Sequence, residues 1–150
     1  MPSVLRLLAA ILCLATAALS QQPDNKKATR PPGPCDAAQT QMEITNCWED
    51  QAQKADARLN VLYQKLQKLI KAKMAEDDAT LKGYRSRALE KMKAAELAWV
   101  HYRDAQCDAA EQQYEGGSIA PSIHAGCVTN LTDQRITELQ KTYAIYLLEK

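Results

Sequence analysis

Residues 40–73 read TQMEITNCWEDQAQKADARLNVLYQKLQKLIKAK, a segment with the pattern of one long α-helix. Its apolar residues recur three and four positions apart, which is typical of the buried face of a helix. They are Trp48, Ala52, Ala55, Leu59, Leu62, Tyr63, Leu66, Leu69 and Ile70. Thr40 and Glu43 form a capping-box pattern, in which each side chain can satisfy a backbone amide of the other residue. The segment therefore predicts a helix that begins near residue 40 and ends near residue 73.

A second helix is predicted over residues 79–114. The acidic turn Glu76-Asp77-Asp78 precedes it and supplies an N-cap or first-turn acids. Its apolar stripe consists of Leu81, Tyr84, Ala88, Met92, Ala95, Trp99 and Tyr102. Two long helices joined by a short turn predict an antiparallel helical hairpin.

A third, shorter helix follows the segment GGSIAP, residues 116–121. This segment cannot continue a helix and predicts a loop, so we expect the third helix to start near Thr129 or Thr132. Its expected buried face consists of Leu131, Ile136, Leu139, Tyr143 and Tyr146. No segment alternates with a period of two, as a half-buried strand would. The predicted fold class is all-α, a long antiparallel helical hairpin plus a shorter third helix.

The amino-terminal segment predicts export. Residues 1–20 carry one positive charge, then an apolar run too short to span a bilayer comfortably, and end in small residues, as secretory signal peptides do. Cleavage is expected near residue 20. Residues 21–34 are polar and proline-rich and predict a disordered tether, which leaves residues 35–150 as one helical domain. We expect a periplasmic or secreted protein without a membrane span.

Four cysteines remain after removal of the signal peptide: Cys35, Cys47, Cys107 and Cys127. An even number in an exported protein predicts disulfides. Cys47 and Cys107 each lie thirty residues from position 77, so a hairpin that turns there places all four thiols at one end. We expect Cys35–Cys47 with Cys107–Cys127 because each bridge closes a short loop, worth about 3 kcal/mol. Cys47–Cys107 with Cys35–Cys127 remains an alternative.

The charge is unevenly distributed, although the mature chain is expected to be neutral overall. Residues 54–93 hold eleven bases and five acids, net +6, whereas residues 94–150 hold four bases and eight acids, net −4. The protein is therefore expected to be dipolar, although charged helix faces can also simply be solvated. Basic residues can indicate nucleic-acid binding, but export and the absence of net charge argue against it.

The sequence contains no recognisable catalytic constellation. It has only two histidines, His101 and His124, and no Ser-His-Asp arrangement can be inferred from their spacing. A zinc site formed by His124, Cys107 and Cys127 is disfavoured, because thiols in an oxidising compartment form disulfides. We therefore expect a protein that is not an enzyme and that has neither cofactor nor metal.

Two segments near the cysteines are candidates for function. In the string Trp99-x-x-Tyr102-Arg103-Asp104-x-x-Cys107, we expect Arg103 to form a buried or half-buried ion pair with Asp104 or a neighbouring helix. The Gly-Gly-Ser loop is held by a disulfide, and such loops are suited to binding because they are already ordered. It can equally be a connector without a function.

Several motifs occur in order along roughly residues 35–140. They are Cys35, Thr40-Gln41-x-Glu43, Cys47, Asp56-x-x-Leu59-Asn60-x-x-Tyr63, Trp99-x-x-Tyr102-Arg103-Asp104-x-x-Cys107, Gly116-Gly117-Ser118, Cys127 and Arg135-x-x-x-Leu139. Together these motifs resemble those of the LprI-type lysozyme-inhibitor family of bacterial exported proteins.

The resemblance implies a binding protein of the cell envelope whose partner is lysozyme or another cell-wall muramidase. Such an inhibitor would place an ordered segment in a cleft that contains two catalytic carboxylates. The expected partner-binding residues are Arg103, Asp104, Glu115, Gly116, Gly117, Ser118, Ser122 and His124. The alternative is an envelope interaction or stress protein on the same scaffold that does not inhibit lysozyme.

Overall fold

The computed structural model describes residues 33–148. Its elements are α1 (Gln41–Glu76), α2 (Ala79–Gln112), α3 (Ala120–Thr142) and the short α4 (Ala144–Leu148). The described part of the chain contains no strand, so the predicted all-α class, with two long helices and a shorter third, is confirmed. The predicted signal peptide and nearly all of the predicted tether lie outside the described residues.

The predicted capping box is present at the start of α1. The Thr40 hydroxyl accepts a hydrogen bond from the Glu43 amide at 3.2 Å, and the Glu43 carboxylate accepts from the amides of Thr40 and Gln39 at 3.0 and 2.9 Å. At the turn between α1 and α2, the Asp78 carboxylate caps α2 by accepting from two amides of its first turn. These caps satisfy amides that have no partner within the helix and thereby fix where each helix begins.

The capping box makes stability depend on the charge of Glu43. Hydrogen bonds from the amides of Gln39 and Thr40 lower the pKa of Glu43 below its ordinary value. A carboxylate with a lowered pKa stabilises the fold at neutral pH, and this contribution is lost as the pH falls through its folded pKa. As the pH falls from neutral to acidic, the free energy of unfolding of Glu43→Gln should therefore decrease less than that of wild type. Urea unfolding at each pH measures this decrease. Glu49→Gln, outside the capping box, should behave as wild type, and an equal response of the two variants would contradict the prediction.

The helix α3 packs against both long helices. Gln41 donates to Ser122 at 3.1 Å, and farther along both helices Arg58 donates to Asp133, so α3 runs parallel to α1. The core lies where the three helices meet. It consists of Leu59, Leu66, Ile70, Leu89, Met92 and Leu139, all less than a tenth exposed.

The start predicted for the third helix, near Thr129 or Thr132, is wrong. The helix begins at Ala120, with Pro121 in its first turn. Proline is tolerated there because the amide that it lacks would have no partner within the helix, and its fixed φ already suits the helix. The loop is therefore confined to residues 113–119, and both Ser122 and His124 lie on α3.

The apolar stripe predicted for α2 is wrong over much of its length. Leu81, Tyr84 and Tyr102 are 49%, 62% and 56% exposed, whereas the carboxylate residue Glu96 is buried. The buried residues of α2 are Leu89, Met92, Glu96 and Cys107. A pattern of apolar residues alone does not place a carboxylate such as Glu96 in the buried face. The predicted stripe therefore lies to one side of the face that is buried in the structure.

The predicted disulfides Cys35–Cys47 and Cys107–Cys127 are both present. They lie at the same end of the bundle. A Cβ at Gly126, beside Cys127, would lie 3.7 Å from the ring of Trp48, beside Cys47. Among residues 33–148, none of the helices combines the length and apolarity that crossing a bilayer requires.

Candidate partner-binding site

The two disulfides define one end of the molecule, which we call the disulfide end: residues 33–56 and 99–130. These residues include nine acids and only two bases, net −7. Residues 57–98, around the turn between α1 and α2, include ten bases and five acids, net +5. The helix directions thus place charge of opposite sign in the two halves of the bundle. A strongly acidic end attracts basic partners and raises their rate of association.

The loop of residues 113–119 joins α2 to α3 through consecutive hydrogen-bonded turns. The amide of Gly117 donates to the carbonyl of Tyr114 at 2.9 Å, and the amide of Ala120 donates to the carbonyl of Gly117 at 3.2 Å. Gly116 has a φ of +79°, a conformation that residues with a side chain rarely adopt. The loop is therefore compact and defined by its own backbone.

Five of the eight expected partner-binding residues are exposed. Asp104 lies on α2, and Glu115, Gly116, Gly117 and Ser118 form the exposed part of the loop. These residues combine two carboxylates, a hydroxyl and accessible backbone groups, which can all form hydrogen bonds with a partner.

The other three expected residues make contacts within the protein. The Arg103 side chain is 11% exposed and donates to Asp56 at 2.6 Å and to Asp104 at 2.9 Å. Ser122 is buried and donates to the Ile119 carbonyl at 2.7 Å. His124 is half-buried, with Nε2 3.3 Å from a carboxylate oxygen of Asp108. The predicted ion pair of Arg103 with Asp104 and a neighbouring helix is thus present.

A network of charges around Trp99 joins α1, α2 and α3. Arg103 of α2 and Arg135 of α3 lie against the Trp99 ring, with guanidinium carbons 5.3 and 5.6 Å from its centroid. Arg135 also donates two hydrogen bonds to Glu96, at 3.0 and 2.9 Å. Burial lowers the pKa of Arg135, but hydrogen bonds to Glu138 and Glu96 outweigh it, and the net effect raises the pKa. The guanidinium therefore stays charged and holds the helices together.

A groove of about 450 Å³ lies between the first turns of α1 and α3. We call it the disulfide-end groove. Its apolar lining residues are Ile44, Trp48, Ile119 and Ile123, and its polar ones include Gln41, Ser122 and Asn130. The sequence alone does not predict this groove, because a groove between helices depends on how they are aligned. The signal in the sequence was two pairs of apolar residues four positions apart, Ile44 with Trp48 and Ile119 with Ile123, each close to a cysteine.

Comparison with known proteins places the chain in a family. A family model described as "Lysozyme inhibitor LprI" matches residues 35–139, which include both disulfides and the network around Trp99. The chain belongs to the LprI family. A relative from Rhizobium meliloti (strain 1021), called "Uncharacterized protein R02472", is 34% identical over 137 residues, covering 89% of this chain and 90% of that protein. No solved structure matches the chain.

The residues that carried the LprI resemblance occupy mainly structural positions. Thr40 and Glu43 cap α1, Asp56 and Arg103 form an ion pair between helices, and the four cysteines are bridged. The motif therefore specifies how the helices are held together. Of the motif residues, Asp104, Gly116, Gly117 and Ser118 are exposed and accessible to a partner.

This LprI-family chain has two further features, a groove beside the network around Trp99 and a cluster of possible ligand atoms at the disulfide end. A second groove, of about 370 Å³, is lined by Trp99, Tyr102 and four residues of α3. Ligand atoms of Asp108, Glu111 and His124 lie within 4.8 Å of one another, so these residues could supply ligands to a cation. All three are exposed or half-buried, as is usual for ordinary surface ion pairs.

Proposed function

We propose that this protein is an exported lysozyme inhibitor whose disulfide end blocks the substrate cleft of a muramidase. The observation that carries the proposal is membership of the LprI family, whose description is that of a lysozyme inhibitor. Export is supported by the two disulfides, since such bridges persist in oxidising compartments, and by the predicted signal peptide.

The charge of the disulfide end supports a basic partner. The net charge of −7 at this end would orient a basic lysozyme during approach and would mainly raise the rate of association. In the complex, backbone amides and the Ser118 hydroxyl could donate to carboxylates in the cleft. Occupation of the cleft by the loop would exclude the glycan substrate.

In this proposal the expected partner-binding residues have two different roles. Asp104, Glu115, Gly116, Gly117 and Ser118 contact the enzyme. The remaining three, Arg103, Ser122 and His124, position the helices and the loop through contacts within the protein. Inhibition by this mechanism requires binding only, without a chemical step by the inhibitor.

Purified protein comprising residues 21–150 should slow the hydrolysis of cell walls by lysozyme. Ser118→Trp should weaken the inhibition by about tenfold or more, because a large side chain on the loop would prevent close contact. Thr80→Trp, at an exposed position near the opposite end, is the matched control and should inhibit as wild type does. Turbidity assays with cell walls measure inhibition, and circular dichroism checks that each variant keeps its helices.

Failure of wild type to inhibit several types of lysozyme at large molar excess would refute the proposal. The alternative, an envelope interaction or stress protein without lysozyme activity, would then be supported by an envelope protein that copurifies with it in defined stoichiometry.

A further inference from the structure

We infer that the disulfide-end groove receives an apolar side chain from the positively charged surface of the muramidase. The inference rests on the proposed function and goes beyond it, because it assigns the binding energy to residues outside the expected set. Those residues are Ile44, Trp48, Ile119 and Ile123, which line the groove.

The groove is held open by contacts between α1 and α3. At one side, the Gln41 amide donates to the Ser122 hydroxyl at 3.1 Å. Trp48 and Gly126 both line the groove, and a Cβ added at Gly126 would lie 3.7 Å from the Trp48 ring. Cys127, bridged to Cys107, forms part of the lining. A groove fixed in this way needs little reorganisation on binding, which reduces the entropy cost of association.

The chemistry of the lining indicates an apolar guest. No ionisable side chain lines the groove, and four of its residues are isoleucine or tryptophan. Ile119, at the junction of the loop and α3, is 41% exposed although it lies in a strongly charged end of the molecule. Burying an aliphatic or aromatic side chain here would remove apolar surface of both proteins from water.

The charge around the groove selects the partner that carries this side chain. The disulfide end has a net charge of −7, which repels acidic proteins and attracts basic ones. Binding energy in protein interfaces is concentrated in a few buried anchors, and the surrounding charges contribute orientation and association rate. The expected guest is therefore an apolar residue flanked by lysine or arginine on the muramidase, next to the cleft that the loop occupies.

The test replaces one apolar lining residue and compares it with a matched position. Ile119→Ser removes apolar surface from the groove, and Ile145→Ser makes the same change on α4, at a 66% exposed residue outside the groove. Ile119 is 41% exposed, so the change to serine removes little surface from the core, and we expect the fold to be kept. Both variants and wild type are titrated against the lysozyme that wild type inhibits most strongly, by inhibition assay and by isothermal titration calorimetry.

We expect Ile119→Ser to weaken inhibition and binding by about tenfold, and Ile145→Ser to change neither by more than about twofold. Asn130→Trp, which places a large side chain at the groove from an exposed position, should weaken binding similarly. At high salt, the association rate should fall by the same factor for wild type and Ile119→Ser, since the substitution does not change a charge.

The outcomes separate this inference from the proposed function. Inhibition by wild type together with unchanged inhibition by Ile119→Ser and Asn130→Trp would overturn the groove assignment and leave the proposed function in place. Equal losses in Ile119→Ser and Ile145→Ser would also overturn the assignment, because the effect would not be local. Neither inhibition nor binding by wild type would overturn both.

Discussion

Arg135→Met is expected to lower the free energy of unfolding by about 3 kcal/mol, because it leaves a buried carboxylate without its partner. Arg135 and Glu96 have side chains only 12% and 11% exposed, and two hydrogen bonds of 3.0 and 2.9 Å join them. Removing the arginine also removes the guanidinium that lies against Trp99. Urea unfolding followed by circular dichroism measures the loss, and the midpoint should shift without a large change in slope.

The matched control is a second ion pair between helices with an arginine. Arg58 and Asp133 join α1 to α3, but both side chains are 51% exposed. Water screens such pairs, so Arg58→Met should cost no more than about 1 kcal/mol. The contrast between the two arginines tests burial as the cause, since the substitution is the same.

The double variant Glu96→Met/Arg135→Met completes the test. Replacement of both partners removes the uncompensated charge and fills the site with apolar side chains, so it should recover much of the stability lost in Arg135→Met. A double variant as unstable as the sum of the two single variants would show that the residues act separately. A single Arg135→Met variant as stable as wild type would contradict the structural role of the pair.

The same pair explains which parts of the fold the sequence could predict. The periodicity of α1 located its buried residues, because Ala55, Leu59, Leu66 and Ile70 are all apolar. The periodicity of α2 located Met92 but missed Leu89 and Glu96. Glu96 occupies a buried position that its contact with Arg135 makes favourable. That partner is 39 residues away along the chain. Pairing between helices is a tertiary property that a pattern within one helix does not contain.

The candidate site was predictable to a similar extent. Helix lengths and the cysteine positions correctly placed both disulfides at one end. In two antiparallel helices joined by a short turn, residues equally far from the turn lie at the same end, as Cys47 and Cys107 do. The groove required the alignment of α3 with α1, and that alignment depended on the start of α3. With Pro121 assigned to the loop, the expected start of α3 lies about ten residues too far along the chain. The pattern therefore does not place Ile119 and Ile123 opposite α1.

The motif residues that carry the LprI resemblance include most of the contacts that hold the scaffold together, and also the exposed residues Asp104, Gly116, Gly117 and Ser118. The capping box, the disulfides and the ion pair of Asp56 with Arg103 determine the arrangement of the helices. A scaffold of this kind can present different side chains to different partners.

Cys107→Ala/Cys127→Ala is expected to lower the free energy of unfolding by about 3 kcal/mol, from the entropy that the opened chain regains when unfolded. The bridge spans 20 positions along the chain and encloses the whole loop of residues 113–119. It also ties the first turns of α3 to α2, beside the disulfide-end groove. Thermal unfolding measures the loss, and hydrogen exchange should show the largest decrease in protection in the first turns of α3.

The other disulfide provides the control for this prediction. Cys35–Cys47 spans 12 positions and ties the residues before α1 to its second turn, so Cys35→Ala/Cys47→Ala should cost a similar amount of stability. Its loss should leave protection in the loop of residues 113–119 unchanged, because that bridge does not enclose the loop. We therefore expect the first double variant to lose inhibition by much more than the second at a temperature where both are folded. Equal losses of inhibition would mean that the loop is not the contact surface, since only the Cys107–Cys127 bridge encloses it.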